Sequence, residues 1–360
     1  MKTPYVILLF AALASGLSAQ TVVTLNGRQV VQSGGYIVLS DADWVNNGRF
    51  AAQAGEVVLA GEAPSAIKGT SSTTFHNLTI DKNDQPVRLG RATTVNNALH
   101  LTGGLLDIGD HDLSIAPGGR IAEVGEQEYI KTSGTGTLHQ TVSDEGVDFP
   151  VGGASYKPLF LRNTGEVDVF KVRVEEAAYL AGAAGDRVMQ DAVDASWHIE
   201  EAVAGGSAAQ LSFRWSDRDE LPGFDRRRCT VGQYKDGALA QSTKEAAEGT
   251  LAYWRTVAGI ATFGSFTISS QGLVQHSTVQ PSIGRPSTKP HFTLYPNPAT
   301  DYVIIEQAAA GEWAQLLSIQ GQLLKEFQIS SSQHALSLND IPKGSYLIKV
   351  GSTAGRIVIQ

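Results

Sequence analysis

The sequence predicts an all-β protein, and three observations indicate this fold class. Glycine is frequent, with 38 residues in a chain of 360, while only 18% of the residues are charged. Apolar runs of strand length recur along the chain, and glycine, asparagine and aspartate separate them. Hydrophobic residues make up 42% of the chain, which is enough to bury real cores. At about 100–200 residues per domain, the length predicts two or three domains.

Residues 1–19 have the form of a Sec signal peptide. Lys2 is followed by an apolar run from Val6 to Ala14 and then by small residues. The run is shorter than the ~20 apolar residues that a transmembrane helix needs. No other segment of the sequence approaches that length, so we expect the mature form to have no transmembrane helix.

Residues 20–140 are predicted to form β-repeats. The sequence VNNG at 45–48 recurs as VNNA at 95–98, and an apolar, strand-length run follows each copy. Such spacing suits a β-solenoid, in which each coil covers the core of its neighbour and asparagines can stack in ladders. A sandwich of hairpins is the alternative. Two-residue Asn-Gly or Asp-Gly turns are scarce, and this favours the solenoid.

Three further segments complete the predicted organisation. Residues 141–272 contain alternating apolar and polar runs, such as 167–174 and 210–216, and are predicted to form a β-sandwich. Residues 273–290 include three prolines and form a linker that cannot pair as a strand. Residues 291–360 consist of short β-rich runs separated by turns, which predicts a second, smaller sandwich.

The last seventy residues contain a distinctive set of aromatic, proline, glycine and charged residues. In chain order these are Tyr295, Pro296, Asn297, Pro298, Asp301, Gly321, Pro342, Gly344, Tyr346 and Lys349. In order, spacing and C-terminal position they resemble the type A sorting domain of the type IX (Por) secretion system of Gram-negative bacteria. The resemblance implies an immunoglobulin-like β-sandwich that an outer-membrane translocon reads and that is removed during export.

Together with the predicted signal peptide, the resemblance implies a route and a destination. The chain would cross the inner membrane through the Sec translocon, pass the periplasm and leave through the type IX translocon. Outside, the cargo would be released or attached to lipopolysaccharide on the outer cell surface. Because the net charge is −8, nucleic acid is not expected as a partner.

Catalytic chemistry is not evident in the sequence. It contains no Gly-x-Ser-x-Gly elbow, Walker loop or His-Glu-x-x-His motif. The single cysteine, Cys229, excludes an intramolecular disulfide and a multi-thiolate metal site. Three preceding arginines could activate its thiol, but we favour a buried, inert cysteine.

One acidic segment is the best candidate for calcium. Asp217, Asp219 and Asp225 could supply hard oxygen ligands, although their spacing does not match an EF-hand loop. A solvated loop neutralised by Arg218 and Arg226 is the favoured interpretation, so no cofactor is predicted.

The sequence as a whole predicts a secreted or surface-anchored structural or adhesive protein that is not an enzyme. The alternative is a polysaccharide-active enzyme, or a carbohydrate-binding protein, that uses a groove of the β-repeats. Trp44 and Trp254 are the candidate sugar-stacking rings, although burial in the core is the favoured interpretation for both.

Overall fold

A computed structural model describes residues 21–179, 187–271, 292–307, 311–318, 323–350 and 353–360. Strands make up 60% of the structure, and the described residues include no α-helix, which confirms the all-β prediction. Within these ranges no helix is long and apolar enough to cross a membrane. The predicted signal peptide and linker lie outside the described residues. The chain divides into two compact units, Met1–Gln275 and His276–Gln360.

The strands of the first unit are mostly short, apart from the first two. In chain order they are β1 (Thr21–Ser40), β2 (Ala42–Ala60), β3 (Ser65–Lys68), β4 (Thr73–Asp81), β5 (Val87–Leu89), β6 (Thr93–Gly103), β7 (Leu106–Asp107), β8 (Leu113–Ile115), β9 (Arg120–Ala122), β10 (Ile130–Lys131), β11 (Leu138–Val142), β12 (Val147–Phe149), β13 (Val151–Gly152), β14 (Leu159–Asn163), β15 (Asp168–Glu175), β16 (Ser196–Glu201), β17 (Ala209–Trp215), β18 (Thr230–Lys235), β19 (Ala238–Gln241), β20 (Glu248–Gly249), β21 (Tyr253–Ile260) and β22 (Ser265–Ser269). Two 3-10 turns, Asp217–Asp219 and Arg226–Arg228, lie between β17 and β18.

Parallel pairing stacks the first strands into a β-solenoid of about six turns. Trp44 pairs with Ile67 and Leu78 with Leu99, so one coil takes slightly more than twenty residues. Successive residues of a strand point to opposite faces, so every second side chain lies inside the coil. Leu78 and Leu99 occupy such inward positions and are fully buried. Each such side chain stabilises the fold by about 1.5–3 kcal/mol relative to an exposed one. The predicted solenoid is confirmed.

Asparagine stacking occurs, but between different positions from those that the repeat suggested. The coil length places residues 45–48 and 95–98 more than one coil apart. Asn97 instead donates to Asn77 Oδ1 over 2.7 Å on the neighbouring coil. Buried Asn46 donates to the carbonyl oxygen of Ser72 over 2.9 Å, so this backbone acceptor has a hydrogen-bond partner.

Beyond the coils, the solenoid sheet continues through antiparallel strands. Strand β11 pairs with β15, β15 with β16, β16 with β22, and β22 with β18. A second sheet, ordered β12-β14-β17-β21-β20, shares its core. Trp197 packs edge-on against Phe213 at 5.2 Å between ring centroids, and Phe213 lies 5.5 Å from Phe266. One apolar core therefore runs from Leu39 to Ile268. The predicted boundary at residue 140 falls within β11 and stays a prediction.

The second unit has two sheets around a core of its own. Its strands are β23 (Thr293–Tyr295), β24 (Tyr302–Glu306), β25 (Trp313–Ser318), β26 (Leu323–Gln328), β27 (Gln333–Ser337), β28 (Gly344–Val350) and β29 (Thr353–Ile359). One sheet has the order β23-β24-β27 and the other β26-β25-β28-β29. Val303 and Ile305 of one sheet and Ile348 and Ile357 of the other belong to a single buried cluster.

Candidate functional site

A hydrogen-bonded clasp joins the first turn of the second unit to its last strand. The side chain of Asn297 donates from Nδ2 to the carbonyl oxygen of Arg356 over 2.9 Å, and its Oδ1 accepts from the N–H of Val358 over 2.9 Å. The backbone of Ala299 continues the contact, since it donates to Val358 and accepts from Gln360, each over 2.8 Å. Asn297 thus uses both ends of its amide to fix β29, a role that aspartate or leucine could not fill.

The turn before β28 is fixed by a buried tyrosine. Tyr346 donates from its hydroxyl to the carbonyl oxygen of Pro342 over 2.6 Å. Its ring also covers Gly344, where a Cβ atom would come within 3.4 Å of the ring. Proline, glycine and tyrosine in this order therefore form one packed turn.

The two observations place residues of the motif at contacts that hold this two-sheet unit together. A comparison with protein-family models matches residues 293–360 to the secretion system C-terminal sorting domain. This unit is a type IX sorting domain. The sorting domain makes the chain a client of the type IX secretion machinery, so the protein is exported to the cell surface or secreted. No curated protein matches the chain.

The other motif residues of the sorting domain contribute in different ways. Asp301 accepts, through its backbone oxygen, from the N–H of Leu338 over 2.8 Å. Pro296 and Pro298 both follow cis peptide bonds on either side of Asn297. Lys349 is exposed on β28, and Gly321 lies outside the described residues.

In the cargo, a fully buried lysine joins three distant segments. Lys157 Nζ lies 2.7 Å from Glu176 Oε1 and 3.0 Å from Asp219 Oδ1, and it also donates to Ser155 Oγ. Ser155 Oγ donates in turn to Asp219 Oδ1 over 2.5 Å. Burial opposes ionisation of Asp219, but the Lys157 ammonium and hydrogen bonds from Ser155 and Ser216 outweigh it and hold the pKa of the carboxyl below its usual value. Lys157 therefore provides the positive charge beside Asp219 that a calcium ion would provide in the predicted metal site.

The structure does not bring the three predicted calcium ligands together. Asp219 faces Lys157, whereas Asp225 accepts from the N–H of Arg227 over 3.1 Å and pairs with its guanidinium at 3.0 Å. Asp217 begins the first 3-10 turn. Among the described residues no group of three His, Cys, Asp or Glu side chains could hold a metal ion.

The two tryptophan candidates differ in their surroundings. Trp44 is only 1% exposed, and its ring packs at 4.7 Å from Phe50 and 5.2 Å from Phe75, so it belongs to the solenoid core. Trp44 is therefore unable to stack on a sugar in this structure. Trp254 on β21 is half-buried and pairs with Arg214 of β17.

Cys229 is buried, as predicted. Burial raises the pKa of its thiol to about 11, and the arginines that precede it do not reverse this effect. Its Sγ lies 3.3 Å from the carbonyl oxygen of Arg226. A thiol in this state is not an effective nucleophile at neutral pH.

A histidine that the sequence did not single out links three strands. His198 Nδ1 lies 2.8 Å from Ser265 Oγ, and Nε2 lies 3.2 Å from Glu175 Oε2. Arg173 and Tyr179 both hydrogen-bond the same glutamate. Serine, histidine and glutamate are the residue types of a hydrolytic triad, but burial lowers the pKa of His198 to about 4. An imidazole with that pKa is a poor general base at pH 7, and Ser265 is itself buried.

We expect this histidine to make stability depend on pH. In the folded protein His198 stays neutral down to about pH 4, while in the unfolded chain it takes up a proton near pH 6.5. The unfolded state therefore binds more protons between these values, and the free energy of unfolding should fall by about 3 kcal/mol as the pH drops through the window. Urea unfolding at several pH values measures this.

The matched variant is His198→Gln. Its free energy of unfolding should change less with pH between 6.5 and 4 than that of the natural protein. Part of the slope should remain, because burial also lowers the pKa of His139. An unchanged profile in the variant would show that His198 is not the titrating group.

A cleft of about 320 Å³ opens between β21 and the strands β18 and β19. Val231, Val257 and Phe266 form part of its apolar lining, and Arg255 and Glu245 lie at its polar side. Arg255 is buried and pairs with Glu245 at 2.8 Å, yet its Nε is buried without a hydrogen-bond partner among the described residues. The cleft therefore combines apolar side chains with an arginine–glutamate ion pair, and its volume suits a small molecule.

Proposed function

We propose that the exported cargo is a structural or adhesive protein of the outer cell surface and that it is not an enzyme. One observation carries this proposal: a solenoid filled by its own side chains presents a regular polar row on its outer face. Thr74, Thr94, Ser114 and His139 occupy equivalent positions on successive coils. Strand spacing sets their separation at about 4.8 Å.

Such a row suits binding to a repeating or crystalline surface better than it suits catalysis at a single site. Every member offers a hydroxyl or imidazole, and alternate residues such as Phe75 and Val95 are buried beneath it. The row is rigid because the coils below it are closely packed. It provides many weak, similar contacts, which is what attachment to a polymer requires.

We propose also that export follows the full type IX route. The N-terminal segment directs Sec passage to the periplasm of a Gram-negative cell, and the sorting domain is then removed outside. The mature cargo is released or attached to lipopolysaccharide. The sorting domain supports this order of steps, because it identifies the type IX translocon as the last export machinery that the chain would use.

A ligand-binding role is the second candidate, and the Arg255 cleft favours it. Its volume lies near the lower limit for small-molecule sites, which excludes long polymers from its interior. A polysaccharide-active enzyme is less favoured, since His198, which lies between a serine and a glutamate, is a poor general base at neutral pH.

Incubation of the exported protein with purified surface polysaccharide tests the proposal. We expect the protein to sediment with the polymer and to release no new reducing ends. Thr94→Lys together with Ser114→Lys should weaken sedimentation, because two ammonium groups replace hydroxyls in the row, while Thr164→Lys, exposed elsewhere on the cargo, should not. Release of reducing ends that Ser265→Ala abolishes would show an enzyme instead.

A further inference from the structure

The first coil of the solenoid leaves a long strand edge open. Strand β1 has twenty residues and pairs in parallel with β2 along nearly all of its length. Across the described part of the chain, no strand pairs with its other edge. The opposite end of the solenoid is covered, because β11 continues into the antiparallel strands β15 and β16. Among the described residues the two ends therefore differ, and the β1 end presents backbone donors and acceptors that no described strand pairs.

The open edge also carries apolar side chains. Val30, Val31, Tyr36 and Val38 are all exposed, with Tyr36 the most exposed at 71%. The sequence of β1 contains no proline and a single charged residue, Arg28. Natural proteins protect open edges with charges, prolines or a polar capping repeat. Strand β1 has none of these in quantity, so it is suited to pair with another strand.

We propose that β1 is a self-association interface and that a second copy of this chain covers it. A two-fold axis would set β1 antiparallel to β1 of the second copy, so that each edge satisfies the other and the valines and Tyr36 meet across the junction. Identical, nearly uncharged strands meet without repulsion. Because the far end of each solenoid is covered, the assembly closes at two copies and does not grow into a fibre.

The size of the edge is sufficient for a stable pair. Strand β1 follows one whole coil, so its twenty residues at about 3.3 Å each give roughly 66 Å of edge around that coil, and a strand layer is about 10 Å deep. Each copy would bury roughly 650 Å², or roughly 1,300 Å² in total, which lies within the range of specific interfaces. The use of self-association in the cell rests on the structural role proposed above. Self-association itself is measured on the purified protein, without polymer or cells.

Sedimentation equilibrium of the purified exported protein over a dilution series tests the inference. We expect a reversible dimer with twice the mass of one chain. The variant Val31→Lys/Val38→Lys places ammonium groups on two half-exposed edge positions. It should raise the dimer dissociation constant at least about tenfold, since like charges facing each other across a strand pair are unfavourable.

The matched control is Val167→Lys/Val203→Lys, which makes the same chemical change at exposed valines away from β1. It should dimerise like the natural protein. Circular dichroism checks folding, and Tyr36→Lys serves as the milder variant if the double change unfolds the chain. A protein that stays monomeric at all concentrations, as it would if another segment covered the edge, overturns the inference. Equal dimerisation of the edge variants and the control also overturns it.

Discussion

A chain that lacks residues 291–360 should fail to reach the cell surface and accumulate inside the envelope. The sorting domain is the part that the type IX machinery reads, and it is closed by its own core and clasp. The cargo has a separate core, from Leu39 to Ile268, so the truncated chain should still fold. Protease added to intact cells, followed by immunoblotting, separates surface protein from retained protein.

A point variant tests the contribution of the Asn297 clasp in the same experiment. Asn297→Ala removes both side-chain hydrogen bonds to β29 and should destabilise the sorting domain by about 1–2 kcal/mol. Surface display should fall without being abolished. Gln315→Ala, which removes one exposed contact to Glu326, is the control and should be displayed normally. If the truncated chain were as accessible to protease as the full chain, the sorting domain would not be the export signal.

Lys157→Met should destabilise the first unit by about 3–5 kcal/mol. Removal of the ammonium leaves Asp219 and Glu176 without the cation between them, and Asp219 is almost fully buried. An unpaired buried carboxylate must either remain charged at high cost or take up a proton. Urea unfolding of the full chain, followed by tryptophan fluorescence, measures the change because Trp197 donates to the carbonyl oxygen of Lys157 over 3.0 Å.

The control is Lys171→Met, at a half-exposed lysine 3.7 Å from the exposed Glu200. It should change the free energy of unfolding by less than about 1 kcal/mol, as surface ion pairs do. The double variant Lys157→Met/Asp219→Asn should lose less than the sum of its single variants, because residue 219 is then no longer an unpaired buried carboxylate. Equal losses for Lys157→Met and Lys171→Met would contradict the buried network.

The strands and the sorting domain were predictable because their signals are local. Alternation of apolar and polar residues identifies β-structure, and the set from Tyr295 to Lys349 lies within one short segment. The coil length was less accessible, because the copies at 45–48 and 95–98 lie more than one coil apart. A signal was nevertheless present, because Asn77 and Asn97, which do stack, end the similar segments TTFHN (73–77) and TTVNN (93–97), twenty residues apart.

The clusters of the cargo were not predictable, since their members are distant in sequence. The sequence offers Asp219 as a calcium candidate with Asp217 and Asp225 and favours a loop neutralised by Arg218 and Arg226. Neither interpretation includes its partner Lys157, which precedes it by some sixty residues. His198 meets Glu175 and Ser265 only through the pairing of β15, β16 and β22. For Trp44 core burial was the favoured interpretation, and the structure agrees.

Attachment of living cells tests the central claim most directly. A strain whose chain lacks residues 21–271, but keeps the N-terminal segment and the sorting domain, is compared with a strain that carries the full chain. The measured quantity is the fraction of cells that remains on a polysaccharide-coated surface under flow. A structural or adhesive cargo predicts that this fraction falls in the deletion strain and recovers when the full chain is restored. Equal retention of the two strains would contradict it.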